Sequence, residues 1–183
     1  MSNNPSAQLP VALSLTGRAV NRIWAYGVNT CHAPLLLRED LQRHIELARA
    51  ELGFRYLRCH GILSDAMQVV ADGGEFDFAR IGTACDAILA RGMLPFMELS
   101  HMPGALARSD AAICHYRFRT APPRDWQQWY LLIRALVEYL RKRYGRTEVA
   151  RWRFEVWNEP DIAFWSGTQA EYFKLYDLAA RAI

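Results

Sequence analysis

The chain has 183 residues, of which 51% are hydrophobic and 22% charged, a composition typical of a folded globular domain and not of a disordered one. Its net charge of +3, with scattered arginines, excludes the dense basic surface of a nucleic-acid-binding protein. Because no apolar run approaches the ~20 residues of a membrane span and residues 1–10 lack the pattern of a secretion signal, we expect no membrane association and a cytoplasmic location.

The four cysteines show neither a disulfide framework nor a zinc-site pattern. None forms a C-x-x-C pair and none has a histidine at zinc-ligand spacing, so we predict reduced thiols and no metal. No cofactor is predicted either. Cys59 lies in a predicted strand and Cys85 on the apolar side of a predicted helix, where free cysteine behaves as a small hydrophobic residue. Both are expected to be buried.

The first twenty residues stand apart from the rest. Residues 1–8 are polar and are expected to be frayed. Residues 9–17 alternate apolar with small or polar side chains, which is typical of an exposed edge strand. We therefore divide the chain into an N-terminal extension, residues 1–20, and a main unit, residues 21–183.

The main unit repeats the order of strand and helix. Apolar runs predict its strands, and apolar residues at helical spacing predict its helices. Glycine ends the first three helices, and Thr168 with Glu171 forms a capping-box pattern at the start of the fourth. The predicted strands are residues 23–29, 54–60, 94–98 and 152–157, and the predicted helices are residues 38–52, a segment between Asp77 and Gly92, residues 124–144 and a helix from Thr168.

Two of the predicted connections are long. Residues 61–77 contain the sequence ADGG at residues 71–74 between apolar segments, which predicts a small hairpin. Residues 100–123 form a longer connection still, and loops of this length usually carry function. Its notable side chains are His101, His115, Tyr116, Arg117 and Arg119.

Short links between strands and helices predict one parallel sheet of the α/β class. Four such units are the N-terminal half of a TIM (β/α)₈ barrel, which needs eight units in about 250 residues. The fourth helix keeps its apolar spacing to Ile183 without a stop signal. We therefore expect that this helix is truncated and that the natural chain continues, or that the half-barrel pairs with another copy. Alone it should expose unpaired strand edges and apolar flanks and be inactive.

One strand-to-helix junction carries the main candidate for catalysis. Residues 151–161 read RWRFEVWNEPD, a buried strand that must stop at Pro160, because proline lacks an N–H and disfavours helical angles at Glu159. A carboxylate is thereby held at the carboxyl end of a strand, where barrels have their active sites. A lone glutamate there is more often a salt-bridge partner or a solvated turn residue, and the residues alone leave these alternatives open.

The segment W-N-E-P between strand and helix resembles the acid/base segment of the clan A glycoside hydrolases. Further segments are similar to glycoside hydrolase family 39, the family of β-xylosidases and α-L-iduronidases, and the β-xylosidases are the closer likeness. These segments are GFRYLRCHGILSD from Gly53, LPFMELSHMPGALA from Leu94 and EYFKLYDLAARAI from Glu171. The resemblance implies that Glu159 is the general acid/base, that the nucleophile lies on a seventh strand beyond this chain, and that the N-terminal extension joins an accessory β-sandwich.

The remaining candidates are substrate ligands. Asn158 is expected to hydrogen-bond the sugar 2-hydroxyl, with a turn-forming role as the alternative. The resemblance implies that His60 contacts the innermost sugar. Glu98 either binds sugar hydroxyls or pairs with an arginine. Phe164 and Trp165 are candidates for a face on which a sugar ring stacks.

An acid that works near neutral pH must hold its proton, so the pocket of Glu159 is expected to raise its pKa, with Trp157 among its apolar walls. Asp161 stands where the resembled family often has asparagine, and its charge would raise the pKa of Glu159 further. Cys59 replaces a frequent glycine, which is a mild, buried change. Asp65 is a second acidic candidate, for which an Asx turn that closes the loop is the favoured interpretation.

The resemblance therefore implies that the parent protein is a retaining glycoside hydrolase, a β-xylosidase that releases xylose from xylo-oligosaccharides or β-xylosides. One alternative is a family 39 enzyme of other sugar specificity, such as one similar to α-L-iduronidase. Another is a non-catalytic half-barrel that binds carbohydrate or assembles with other chains. The expected partner is a small oligosaccharide or glycoside, with a homo-oligomer as a further expectation.

Overall fold

The computed structural model of the protein describes residue 17 and residues 19–183. The strands of this part are β1 (Gly27–His32), β2 (Tyr56–His60), β3 (Leu94–Leu99), β4 (Ala112–Ile113), β5 (Phe118–Arg119) and β6 (Arg153–Val156). The α-helices are α1 (Glu39–Leu52), α2 (Ala79–Ala90), α3 (Trp126–Tyr144), α4 (Arg146–Val149) and α5 (Gln169–Ala182). Short 3₁₀ helices cover Ile23–Tyr26, Ala33–Leu37 and Asp65–Met67. The strand predicted at residues 9–17 lies outside the described residues apart from Gly17 and stays a prediction.

Four strands form one parallel sheet in the order β1-β2-β3-β6, so each lies beside the strand before it in the main repeat. A long helix follows each of these strands, and the short helix α4 precedes β6. Parallel strands joined through helices in this order are the first four units of a (β/α)₈ barrel. The predicted fold class and the parallel arrangement of the four strands are thereby confirmed.

The first predicted strand is misplaced along the chain. Residues 23–26 form a 3₁₀ turn, and the strand begins only at Gly27 and continues to His32. Glycine fits there because the two backbones lie close together, so that a Cβ on Gly27 would be 3.3 Å from the Cβ of Tyr56. Residues 30–32, which lie beyond the end of the predicted strand, continue β1 with an irregular register.

The helix ends follow their capping signals. Gly53 ends α1 with a φ of 76°, a left-handed conformation that glycine adopts without strain. The hydroxyl of Thr168 accepts the Glu171 N–H, and the Glu171 carboxylate accepts the Thr168 N–H, so the predicted capping box of α5 is confirmed. Helix α3 begins two residues later than predicted, because Asp125 is its cap and accepts the Gln127 N–H at 2.8 Å.

The apolar core lies between the sheet and the helices. Trp129 of α3 is fully buried and donates its indole N–H to the Leu175 carbonyl of α5 at 3.1 Å. Cys59 and Cys85 are buried, as predicted. The strands contribute Leu57, Met97, Leu99 and Val156 to this core, and α3 contributes Trp129, Leu132, Ile133, Leu136 and Leu140.

Each outer strand of the described sheet borders an open cleft. A cleft of about 400 Å³ lies between β1 and α1, and one of about 420 Å³ lies beside β6 and the end of α5. The first cleft is mainly apolar, whereas polar and apolar side chains both line the second. The first cleft is lined by Val28, Leu41, Ile45 and Leu57 among others, and the second by Val149, Trp152, Phe154 and Ile183.

Both long connections contain β structure. Val70 and Phe76 pair antiparallel around residues 71–74, which confirms the predicted small hairpin. In the connection from β3 to α3, the strands β4 and β5 form a second hairpin, which the sequence pattern did not predict. In the described part of the chain, no helix is long and apolar enough to cross a membrane, and no three His, Cys, Asp or Glu side chains are grouped to hold a metal ion.

Candidate active site

The carboxyl ends of the four parallel strands meet at one edge of the sheet, because parallel strands all point the same way. His60 ends β2, His101 follows β3, and Trp157, Asn158 and Glu159 follow β6. His60 is half-buried and its pKa is lowered, first by burial and then by the positive charge of Arg58, while the charge of Glu159 opposes the shift. The structure thus brings His60 and the segment of Glu159 to one site.

The segment after β6 leaves extended geometry abruptly. Trp157 has a φ of 72° and Glu159 a φ of 45°, a region that bulky residues rarely adopt unless the surroundings hold them there. Trp157 is held because it is buried and donates its indole N–H to the Phe164 carbonyl at 2.9 Å. As a result Asn158 points into the protein while Glu159 is exposed, and the Asn158 amide donates to a Glu159 carboxylate oxygen at 3.3 Å.

Arg58 of β2 connects this segment to the sheet. Its guanidinium binds both carboxylate oxygens of Glu155, at 2.6 and 2.8 Å, and donates to the Asn158 side-chain oxygen at 3.0 Å. Because the amide oxygen of Asn158 accepts from Arg58, its amide nitrogen is turned towards Glu159. We call Arg58, Glu98, Glu155 and Asn158 the arginine network.

Glu98 is the buried member of the arginine network. Its side chain is 0% exposed, and its carboxylate lies 3.6 Å from the Arg58 guanidinium, beyond hydrogen-bond distance. Burial is the main cause that raises the pKa of Glu98 to about 8. Of the two alternatives left open by the sequence, this burial favours proximity to arginine over direct contact with a sugar.

A second group of side chains, the histidine–aromatic cluster, is formed by His32, His60, His101 and Phe118. The Phe118 ring of β5 lies 4.8 Å from His32, 5.6 Å from His60 and 4.2 Å from His101, measured between ring centroids. Burial lowers the pKa of His32 to about 4 and that of His101 to about 3. The hairpin between β3 and α3 is therefore packed on uncharged imidazoles.

The two predicted stacking residues lie in different environments. Phe164 is partly exposed, and its ring lies 5.7 Å from the ring of His101. Trp165 is 7% exposed, packs edge-on against Trp157 at 5.1 Å and donates its indole N–H to the Thr168 carbonyl. Trp165 therefore supports the loop from inside, and Phe164 is the one of the two with an accessible surface.

The Asp65 carboxylate forms hydrogen bonds with another loop. One carboxylate oxygen accepts the Gly104 N–H at 2.6 Å, and the other accepts from Arg119 at 3.0 Å. These bonds join the connection after β2 to the connection after β3. Asp65 thus stabilises a loop, as favoured, but through contacts between two loops and not through an Asx turn.

The sequence reading missed Arg58, Glu155, His32 and Phe118 as site residues. A signal for Arg58 was available, because side chains alternate along a strand and Arg58 therefore shares the face of His60. A charge on the inner face of a strand needs a partner, and Glu155 supplies it from β6. No comparable pattern marks Phe118, since its position depends on an unpredicted hairpin.

Four parallel strands with a carboxylate and a neighbouring amide at their carboxyl ends are typical of the (β/α)₈-barrel glycoside hydrolases. The family comparison agrees. The family described as glycosyl hydrolases family 39 matches residues 8–183, and the chain belongs to that family.

Several similar proteins carry related names. A protein named beta-xylosidase from Caldicellulosiruptor saccharolyticus is 46% identical over 170 residues, and one of the same name from Geobacillus stearothermophilus is 39% identical over 169 residues. The match covers 90% and 87% of this chain. A solved structure of a family 39 beta-xylosidase from Caulobacter crescentus superposes with a TM-score of 0.84 at 42% identity, covering 90% of this chain and 38% of that one. The chain spans about a third of the curated relatives, 35% and 34% of their lengths.

Proposed function

We propose that the whole protein is a retaining exo-acting β-xylosidase, with Glu159 as its general acid/base. The observation that carries the proposal is the position of Glu159: an exposed carboxylate at the carboxyl end of β6, held beside the Asn158 amide. The names of the relatives with 46% and 39% identity support xylose as the sugar.

Retaining hydrolysis needs two carboxyl groups about 5–5.5 Å apart, one to protonate the leaving oxygen and one to attack the anomeric carbon. Among the described residues, the two neighbouring carboxylates on the strands are poorly placed to be the nucleophile, since Glu155 is bound by Arg58 and Glu98 is fully buried. The nucleophile is therefore proposed to come from the part of the barrel that the relatives have beyond this chain. That part would also cover Glu159 and supply the desolvation that a general acid requires.

The remaining roles follow from the arrangement of the strand ends. Asn158, oriented by Arg58, would donate to the sugar 2-hydroxyl and strengthen that bond as the ring flattens in the transition state. His60 would bind a second hydroxyl as an uncharged imidazole. Phe164 would pack against the ring, and a neutral, hydroxyl-rich ligand such as a small xylo-oligosaccharide fits these groups.

The test uses the full-length protein and a series of aryl β-xylosides whose leaving groups differ in pKa. In Glu159→Ala, kcat/KM for poor leaving groups should fall about 10²–10⁴-fold, the usual contribution of a general acid, while activated leaving groups, which need no protonation, should lose little. Asp161→Asn is the matched control, since it removes an exposed carboxylate two residues away and should leave the leaving-group dependence as in the wild type.

Equal loss across the series would contradict the acid role. A wild-type protein that binds xylo-oligosaccharides but hydrolyses no glycoside would favour the non-catalytic alternative. Faster cleavage of an aryl α-L-iduronide than of the β-xyloside would reject xylose specificity.

A further inference from the structure

Glu98 lies beside Arg58 in the arginine network without a hydrogen bond of its own. Neither carboxylate oxygen has a hydrogen-bond partner among the described residues, and the same is true of the buried Ser100 hydroxyl two residues on. The Arg58 guanidinium is 3.6 Å away, and it donates to Glu155 at 2.6 and 2.8 Å, to Asn158 at 3.0 Å and to Asn29 at 3.4 Å. Arg58 therefore bonds to three side chains, and Glu98 lies beside it without a bond.

We propose, on the basis of the function proposed above, that Glu98 is a positioning residue for the acid/base site. As a neutral acid it leaves Arg58 bound to Glu155 and Asn158. When it loses its proton, it competes for Arg58 and withdraws the guanidinium from Asn158. Glu98 thus acts on the reaction through Arg58 and Asn158 and does not touch the sugar.

Burial, with a smaller contribution from the nearby carboxylates, favours the neutral form of Glu98, whereas the Ser100 side chain and the positive charge of Arg58 favour the ionised form. Arg58 and the buried thiol Cys59 face it from β2, and the carboxylates of Glu155 and Glu159 face it from the β6 side. Glu155 is its direct partner in the strand register. An ionised Glu98 would stand in a dry site with one cation already bound by another carboxylate, which is an unfavourable arrangement for a buried charge.

The loss of one proton then has a defined consequence. Burial raises the pKa of Glu98 to about 8, so the neutral form dominates near neutral pH and the ionised form above it. Asn158 would lose its bond from Arg58 in the ionised form, and its amide would no longer be fixed towards Glu159. The catalytic rate should therefore decline in alkaline solution even where Glu159 plays no part.

Removing Glu159 separates the effect of Glu98 ionisation on the rate from the effect of Glu159 itself. The kcat/KM of full-length Glu159→Ala on an activated aryl β-xyloside should fall at least about fivefold between about pH 7 and pH 10 with a single ionisation, whose midpoint lies near the pKa of about 8 assigned to Glu98. The double variant Glu98→Gln/Glu159→Ala should lack this decline, because glutamine keeps the shape of the neutral acid. Glu155→Gln in the Glu159→Ala background should move the decline to lower pH, since Arg58 is then free to stabilise ionised Glu98.

A decline that is the same in the presence and absence of Glu98, or unmoved by Glu155→Gln, would overturn the proposal. Absence of hydrolysis in the wild type would reject the proposed function instead, and a second readout covers that case. Between the ordinary pKa of 4.5 and the raised pKa of about 8, Glu98 is protonated in the folded protein and ionised in the unfolded chain. The melting temperature of the wild type relative to Glu98→Gln should therefore fall as pH rises through that window and level off above it. A constant difference would show that Glu98 does not titrate there.

Discussion

The arginine network and the histidine–aromatic cluster lie at neighbouring strand ends, yet they differ in the charge state of their buried polar groups. In the network, Arg58 keeps its charge because Glu155 binds it through two oxygens. In the cluster, His101 is 0% exposed and has no hydrogen-bond partner for either ring nitrogen among the described residues. Its burial lowers its pKa to about 3, so the ring is uncharged. Pairing preserves charge, whereas burial without pairing removes it.

The largest expected effect comes from breaking the network. Arg58→Met removes the cation but keeps much of the side-chain volume, and it leaves Glu155 and Asn158 without their shared donor. We expect the full-length protein to lose about 2 kcal/mol of unfolding free energy, less than for a fully buried pair, because Arg58 and Glu155 are 20% and 32% exposed. Denaturant unfolding measures the loss.

The matched control is Arg134→Met, which breaks the exposed helical pair with Glu138, whose side chains are 56% and 60% exposed. That change should lower the unfolding free energy by no more than about 0.5 kcal/mol. Equal losses of unfolding free energy in the two variants would mean that the pair of Arg58 and Glu155 stabilises the protein no more than a surface ion pair does.

Replacing His101 by phenylalanine should act in the opposite direction. His101→Phe removes two buried nitrogens without partners in the described structure and places an apolar ring among Phe118, Phe164 and Trp157. The unfolding free energy at pH 7 should rise by about 1 kcal/mol. His44→Phe, at an exposed position of α1, should change it by less than about 0.5 kcal/mol.

The same variant should also change the response to acid. In the unfolded chain His101 binds a proton near the ordinary pKa of 6.5, whereas in the folded protein burial lowers its pKa to about 3. Wild-type stability is therefore lost as pH falls through this window. Thermal unfolding between pH 7 and pH 4 should show a shallower decline in His101→Phe, and parallel curves would contradict a buried neutral histidine.

A smaller effect is expected at Asp65, which belongs to neither region. Its carboxylate is 55% exposed and joins two loops through Gly104 and Arg119. Asp65→Asn should reduce the unfolding free energy by less than about 1 kcal/mol and leave kcat/KM within about twofold, because a tether outside the chemistry contributes no proton transfer. A loss of about 100-fold in kcat/KM would reinstate Asp65 as a catalytic acid.

The two regions also differ in how far the sequence predicted them. Three members of the network, Arg58, Glu98 and Glu155, lie on strands. The alternation of side chains puts Arg58 on the inner face with His60, so the position of Arg58 could have been inferred. Its bond to Asn158 could not, because that bond depends on a φ of 72° at Trp157, which the strand pattern does not contain. The predicted strand therefore ran to residue 157, whereas β6 ends at Val156.

The histidine–aromatic cluster could not be predicted from local sequence patterns. Phe118 reaches the histidines through a hairpin of two-residue strands, too short for any periodic signal. The helices were better predicted, because glycine stops and the capping box of Thr168 fix their ends locally. The first strand was misplaced since the apolar residues 23–26 form a 3₁₀ turn beside an open edge of the sheet.

The central claim is that Glu159 is the general acid/base, and azide tests it most directly. Full-length Glu159→Ala is incubated with an activated aryl β-xyloside and sodium azide, and the product is identified by proton NMR. The small anion should attack the glycosyl-enzyme from the side where Glu159 would direct water. The account predicts faster turnover with azide and β-xylosyl azide as the product. An α-xylosyl azide would identify Glu159 as the nucleophile instead, and the absence of any glycosyl azide would contradict its role in the reaction.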